Sequence, residues 1–92
     1  MLVSTILCCH VLDKNLIKSV KSILEQNFND HELILLFDNP DQKIFSNLKE
    51  IIIKENTKNI NIIFVQNKIN LGLTISLNKA IKLSNGEFIM RQ

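Results

Sequence analysis

The chain has 92 residues, 46% of them apolar and 22% charged, with a net charge of +2 spread along its length. That length allows one domain, which buries only about two-thirds of its surface on folding, and the composition excludes a disordered chain. No basic block marks a nucleic-acid binder, and no apolar run approaches the ~20 residues needed to cross a bilayer.

Leu2 to Cys9 (LVSTILCC) is a short run, mostly apolar and rich in β-branched residues, as expected of a strand buried on both faces. Asp13 can cap the helix that follows, in which Leu12, Leu16, Ile17, Val20, Ile23 and Leu24 recur at spacings of three and four. Asn27 to Asp30 supplies a turn, and Glu32 to Phe37 (ELILLF) reads as a second buried strand. Asp38-Asn39-Pro40-Asp41 breaks that strand at once, because proline cannot extend a ladder and Asn and Asp favour turns. A second helix fits Asp41 to Glu55, with Ile44, Phe45, Leu48, Ile51 and Ile52 as its apolar stripe. Ile60 to Val65 (INIIFV) is a third strand and Gln66 to Asn70 a polar loop. A third helix from Gly72 to Leu83 is expected to bury Leu73, Leu77, Ala80 and Ile81, with Ile75 on its flank and Asn78 in a packing or capping role. Ser84-Asn85-Gly86 reads as a helix stop, since Asn and Gly tolerate the left-handed conformation, and Glu87 to Arg91 as a fourth strand.

Strict alternation with short connections predicts a parallel sheet with helices on its faces. The expected architecture is a Rossmann-like three-layer α/β/α half-domain with a four-stranded parallel sheet, in the order β-α-β-α-β-α-β. In such sheets ligands sit beyond the C-terminal ends of the strands. That edge gathers Cys8, Cys9 and His10, then Asp38, then Gln66 and Asn67, then Arg91 and Gln92, with the Asn70-Leu71-Gly72 loop on the same side.

Several chemistries find no support. There is no P-loop and no GxGxxG, and the first strand-to-helix turn contains no glycine to admit a phosphate. No Ser-His-Asp or Cys-His pair has partners in evident reach. Cys8-Cys9-His10 is too few ligands for zinc, and His31 opens the next strand, at the opposite edge of a parallel sheet, roughly 20 Å away. Neighbouring cysteines would form a strained disulfide, so both thiols are expected to be free. Met1 to Leu12 lacks the charged start and cleavage site of a signal peptide. The expected setting is cytoplasmic, with peripheral docking at the inner face of a membrane left open.

Two stretches resemble a known family. Val3-Ser4-Thr5-Ile6-Leu7 with Ser22-Ile23-Leu24-Glu25-Gln26 and Glu32-Leu33-Ile34 is similar to the N-terminal half of a family 2 glycosyltransferase with the GT-A fold. Asn70-Leu71-Gly72-Leu73, Leu77-Asn78-Lys79-Ala80-Ile81 and Ser84-Asn85-Gly86-Glu87-Phe88-Ile89 match the same family in order and spacing. Residues 1–92 would then form a partial domain, the nucleotide-binding half. The resemblance implies transfer of a sugar, usually with inversion, from a nucleotide-diphosphate-sugar donor, commonly a UDP-sugar, to a glycan or lipid-linked acceptor in cell-surface polysaccharide synthesis. It implies that Asp38 accepts a hydrogen bond from the base, that Cys8 and His10 lie against the base, and that Asn70 and Gly72 approach the nucleotide. It implies a Mg or Mn ion held by a D-x-D motif, expected just beyond Arg91-Gln92, and an acceptor-binding half with a carboxylate base further on. No residue here is assigned a catalytic or metal-binding role, and this chain alone is expected to be inactive. The family's P-x-[YF]-N reads here Cys8-Cys9-His10-Val11, and its D-D-G-S reads Phe37-Asp38-Asn39-Pro40. A different class, a small receiver-like or protein-interaction module, shares the size and alternation. A receiver needs an acidic pair after strand one and an aspartate after strand three, where this chain has Cys8-Cys9-His10 and Gln66-Asn67.

Overall fold

The computed structural model describes residues 2–27 and 30–91. Phe28 and Asn29 of the first turn, and Gln92 at the end of the fourth strand, lie outside the described residues. The elements alternate as β1 (Val3–Cys9), α1 (Lys14–Leu24), β2 (His31–Phe37), α2 (Gln42–Glu55), β3 (Asn61–Gln66), α3 (Leu73–Leu83) and β4 (Phe88–Arg91). All strand pairings are parallel, in the order β3-β2-β1-β4. The β-α-β-α-β-α-β sheet read from the sequence is the one observed. His31 pairs with Val3 while Cys9 pairs with Phe37, so His31 does lie at the edge opposite the two cysteines.

Local chemistry starts the first two helices. Asp13 accepts the Leu16 amide at 2.8 Å and Asp41 accepts the Ile44 amide at 3.0 Å, each satisfying a donor that the first helical turn leaves orphaned. On one face of the sheet, Leu16, Val20, Ile23 and Leu24 of α1 and Leu48 and Ile52 of α2 close over Leu7, Leu33, Leu35 and Phe37. On the other face α3 packs on Ile6, Ile34 and Leu36 through Ala80 and Leu77. Three layers result, and β2 at their centre is buried throughout.

The third helix departs from its expected orientation. Leu73 and Ile81 are exposed (55% and 39%), Asn78 is exposed, and the residues buried against the sheet are Ser76 and Ala80. Two small residues at a spacing of four let the helix approach closely, and Ser76 has a polar partner beneath it (below). Periodicity alone would have rotated the helix to bury its larger side chains.

The helix stop also works differently. Among the described residues, positive φ occurs only at Asn59 and Gly72, so neither Asn85 nor Gly86 is left-handed. The chain turns instead through an extended Ser84, whose hydroxyl donates to Ile81 O at 2.6 Å. Gly86 is needed for a different reason. A Cβ there would run into Ser4 Oγ and sit 2.7 Å from the Ser4 amide nitrogen, closer than side chains pack. That approach lets the Gly86 amide donate to Ser4 Oγ at 2.8 Å as β4 joins β1. β4 is an edge strand, and Phe88, Ile89 and Met90 on it are exposed.

Candidate functional site

β1, β2 and β3 end at one level because their ladders continue one step past the strands. The Asp38 amide donates to Cys9 O at 2.7 Å and the Asn67 amide to Phe37 O at 3.0 Å. Asn39 fastens the loops above them. Its Nδ2 donates to His10 O at 3.1 Å, its Oδ1 accepts from the Asp41 amide at 3.0 Å, and its own carbonyl accepts from Gln66 Nε2 at 3.0 Å. The side chains that follow β1, β2 and β3 are thereby held in place from several directions.

Asp38 is the centre of this edge. Its Oδ1 accepts from Asn67 Nδ2 at 2.9 Å and from the Leu71 amide at 2.7 Å, and its Oδ2 accepts from the Gly72 amide at 2.9 Å. Burial works against the charge on this carboxyl. The hydrogen bonds from Asn67, Leu71 and Gly72, with His10 nearby, outweigh it and hold the carboxyl below the usual carboxylate range. A carboxylate offers about four acceptor directions, so three donors leave one, on Oδ2. Gly72 makes its bond with φ +84 and ψ 167, a backbone conformation essentially reserved for glycine.

Of the residues singled out in the sequence, Cys8, His10 and Asp38 come together as lining of one small cleft of ≈ 60 Å³, with Cys9, Leu73 and Ser76. Gly72 joins them through Asp38, and Asn70 is exposed two residues earlier in the same loop. His10 also borders an adjoining hollow of ≈ 350 Å³ with Val11, Leu12, Asn39, Ile44 and Asn47. Two larger hollows lie elsewhere, ≈ 550 Å³ between α1 and Ile51 and ≈ 430 Å³ around His31 and Lys58. Neither holds a carboxylate set by hydrogen bonds as Asp38 is, and the strand-end cleft is the better candidate on its chemistry.

Sequence reasoning missed the support beneath Asp38. Asn67 is fully buried, and its Nδ2 donates to Ser76 Oγ at 2.9 Å as well as to Asp38, while its Oδ1 accepts from Lys79 Nζ at 2.8 Å. The signal was present in part. Ser76 and Lys79, three residues apart on one side of a helix, interrupt the stripe that should have been apolar.

Burial disfavours the thiolate at both cysteines of the cleft. Burial, reinforced by the neighbouring Cys8 and Asp13 charges, pushes the Cys9 thiol up to about 12. Burial also raises Cys8, with Arg91 opposing and Asp38 adding to the shift. Cys9 is therefore expected to react with iodoacetamide at pH 8 at least about 100-fold more slowly than a free cysteine, read by mass spectrometry of labelled peptides.

The edge does not fit a divalent metal. Asp38 already faces three N–H donors, whose positive ends repel a cation. Among the described residues no group of three or more His, Cys, Asp or Glu is placed to hold an ion.

Comparison with known proteins supplies the family. The model of glycosyl transferase family 2 matches residues 4–92. An uncharacterized glycosyltransferase of Methanocaldococcus jannaschii is 38% identical over 77 residues, covering 84% of this chain and 26% of that protein. An uncharacterized glycosyltransferase of Haemophilus influenzae is 33% identical over 90 residues, covering 98% of this chain and 27% of its own length. A bifunctional glycosyltransferase of Dictyostelium discoideum is 42% identical over 67 residues, 73% of this chain and 8% of that protein. The chain thus spans about a quarter of the first two relatives and less than a tenth of the third. No solved structure matches it. A match of this extent, on a parallel α/β sheet with a polar site at its strand ends, places the chain in glycosyltransferase family 2.

Proposed function

We propose that residues 1–92 are the donor-binding half-domain of a glycosyltransferase, and that the strand-end cleft receives the nucleotide of a nucleotide-diphosphate sugar, a UDP-sugar in the first instance. The observation that carries this reading is the Asp38 carboxylate, kept ionised by three N–H donors and left with one acceptor direction. A ring N–H of a base is the complementary donor. The exposed His10 imidazole and Cys8 border the same cleft and offer a surface for the base to rest on. Such an arrangement binds and orients, and it supplies neither nucleophile nor base.

For the whole protein the reading implies sugar transfer to a glycan or lipid-linked acceptor, in polysaccharide synthesis in the cytoplasm or at the inner face of the membrane. Family membership supports the transfer. Of location, no helix among the described residues is long and apolar enough to cross a membrane.

Thermal unfolding of the 92-residue chain with added UDP tests the binding claim. A ligand at ten times its dissociation constant stabilises by about 1.4 kcal/mol, several degrees for a domain of this size. We expect UDP at millimolar concentration to raise the midpoint by several degrees. No shift with UDP or any other nucleotide at that concentration overturns the reading.

A further inference from the structure

We propose that Lys79 and Asn67 are positioning residues of the nucleotide site, with the Lys79 charge fixing which way the buried Asn67 amide faces and so presenting Asp38 to the ligand. This rests on the donor-binding reading above and goes beyond it by assigning a role to residues outside the cleft lining.

The chemistry of the groups sets the direction of the relay. An ammonium has three donors and no acceptor, so the group that meets Lys79 Nζ at 2.8 Å has to be the amide oxygen of Asn67. With Oδ1 assigned, Nδ2 turns the other way. Its two hydrogens meet Ser76 Oγ and Asp38 Oδ1, both at 2.9 Å, and no donor of the amide is left over. The flipped amide would set its oxygen against the Asp38 carboxylate and its NH2 against the ammonium, two repulsions made at a fully buried amide. Asp38 and Lys79 are half-buried, so solvent offsets these repulsions only in part.

Asp38 Oδ1 is filled by Asn67 and Leu71, which leaves the free acceptor direction on Oδ2. The carboxylate is held in rotation as well as in charge. The other groups acting on it are few. His10 and Cys8 face it from the end of β1, Arg91 of β4 acts on Cys8, and α3 contributes Lys79 through Asn67. Lys79 borders neither the cleft nor the adjoining hollow, so it acts on a ligand through Asn67 and Asp38.

Two measurements on the full 92-residue chain test this, with Lys79→Met and Lys79→Arg compared against the unaltered protein. The first follows the Asp38 carboxyl by carbon NMR as pH is lowered, without nucleotide. The second measures UDP affinity by calorimetry across the same pH range. Lys79→Met keeps the packing of the stem and removes the charge. It is expected to move the Asp38 midpoint upward and to weaken UDP about tenfold, the worth of one charge-assisted hydrogen bond. Lys79→Arg, still a cationic donor, is expected to restore both. If the methionine variant unfolds, Lys79→Gln repeats the comparison with a neutral polar side chain. An Asp38 midpoint unmoved in the neutral variant overturns the relay. Equal weakening by Met and Arg with the midpoint unmoved shows packing alone, and overturns it too. Absence of UDP binding by the unaltered chain overturns the donor-binding reading itself and the positioning role with it. The nucleotide-free titration separates these failures.

Discussion

Replacing Asp38 with alanine is expected to abolish measurable UDP binding and, in the same variant, to release the loop from Asn67 to Gly72. Both effects follow from one side chain facing two ways. It accepts from Asn67 Nδ2 and from the Leu71 and Gly72 amides, it lines the cleft, and it keeps one acceptor direction on Oδ2. Water can replace it at the exposed Gly72 amide but less readily at half-buried Leu71, and Asn67 loses its partner in a buried position. Asp38→Asn is no remedy. An amide has one acceptor oxygen, so its NH2 must confront at least one of the three donors that now converge on the carboxylate. Calorimetry with UDP reads the first effect, and amide exchange at Leu71 and Gly72 reads the second. The pH dependence has a definite sign. Binding needs the ionised form, whose pKa is held below the ordinary aspartate value, so affinity should persist through mild acid and fall only as pH drops through that lowered value. UDP binding that survives the alanine substitution would show that Asp38 is not the group that holds the base.

Glu32→Ala carries the largest expected loss of stability. This carboxylate lies at the opposite edge of the sheet and is only 2% exposed. It accepts from Ser4 Oγ at 2.5 Å, from the Asn85 amide at 2.7 Å and from Asn85 Nδ2 at 3.2 Å, and so ties β1 and β2 to the connection that leads into β4. Burial alone would raise its pKa. The bonds from Ser4 and Asn85 overcome that and hold it below the ordinary glutamate range. Alanine leaves the fully buried Ser4 hydroxyl without its acceptor, while water can take over in part at the exposed Asn85. The cost is about 3 kcal/mol, out of roughly 5–14 kcal/mol for a chain of this length. The thermal midpoint should fall by about 12–20 °C. In the unaltered chain the contribution of Glu32 is fully present above the unfolded-state glutamate value and is lost as pH falls through the lower folded value. Acid melts of the two proteins should therefore converge at low pH. A parallel displacement at every pH would show that the charge of Glu32 has no part in the effect.

Much of the fold was legible because each element announces itself locally. The buried strands are short apolar runs, and Asp13 and Asp41 stand where a capping aspartate belongs. Asp38 was legible as a site residue because polarity returns abruptly after ELILLF at the edge where parallel sheets bind ligands. What stayed hidden depends on partners distant in sequence. The rotation of α3 follows from Ser76 meeting Asn67, and a hydropathy stripe cannot anticipate a polar residue seeking a buried polar partner. Asn85 looked like a residue chosen for its own backbone, yet it serves Glu32, 53 positions away. Gly86 reads in the sequence as part of a left-handed helix stop, but its reason is the Ser4 backbone beside it and not its own φ.

The place of β1 in the sheet has a consequence for synthesis on the ribosome. Ser4 finds Glu32 after 28 residues, whereas its bond to Gly86 spans 82. Since β1 pairs with β2 on one side and β4 on the other, it has one edge satisfied early and the other only when residues 88–91 arrive. At ~5–20 residues per second, that interval lasts several seconds. Throughout it a row of backbone donors and acceptors on Val3 to Ile6 stays open beside apolar side chains, a ready template for another strand. Slow elongation between β2 and β4 would prolong this exposure, so the stretch from Asp38 to Arg91 is where translation speed should most affect the yield of folded chains.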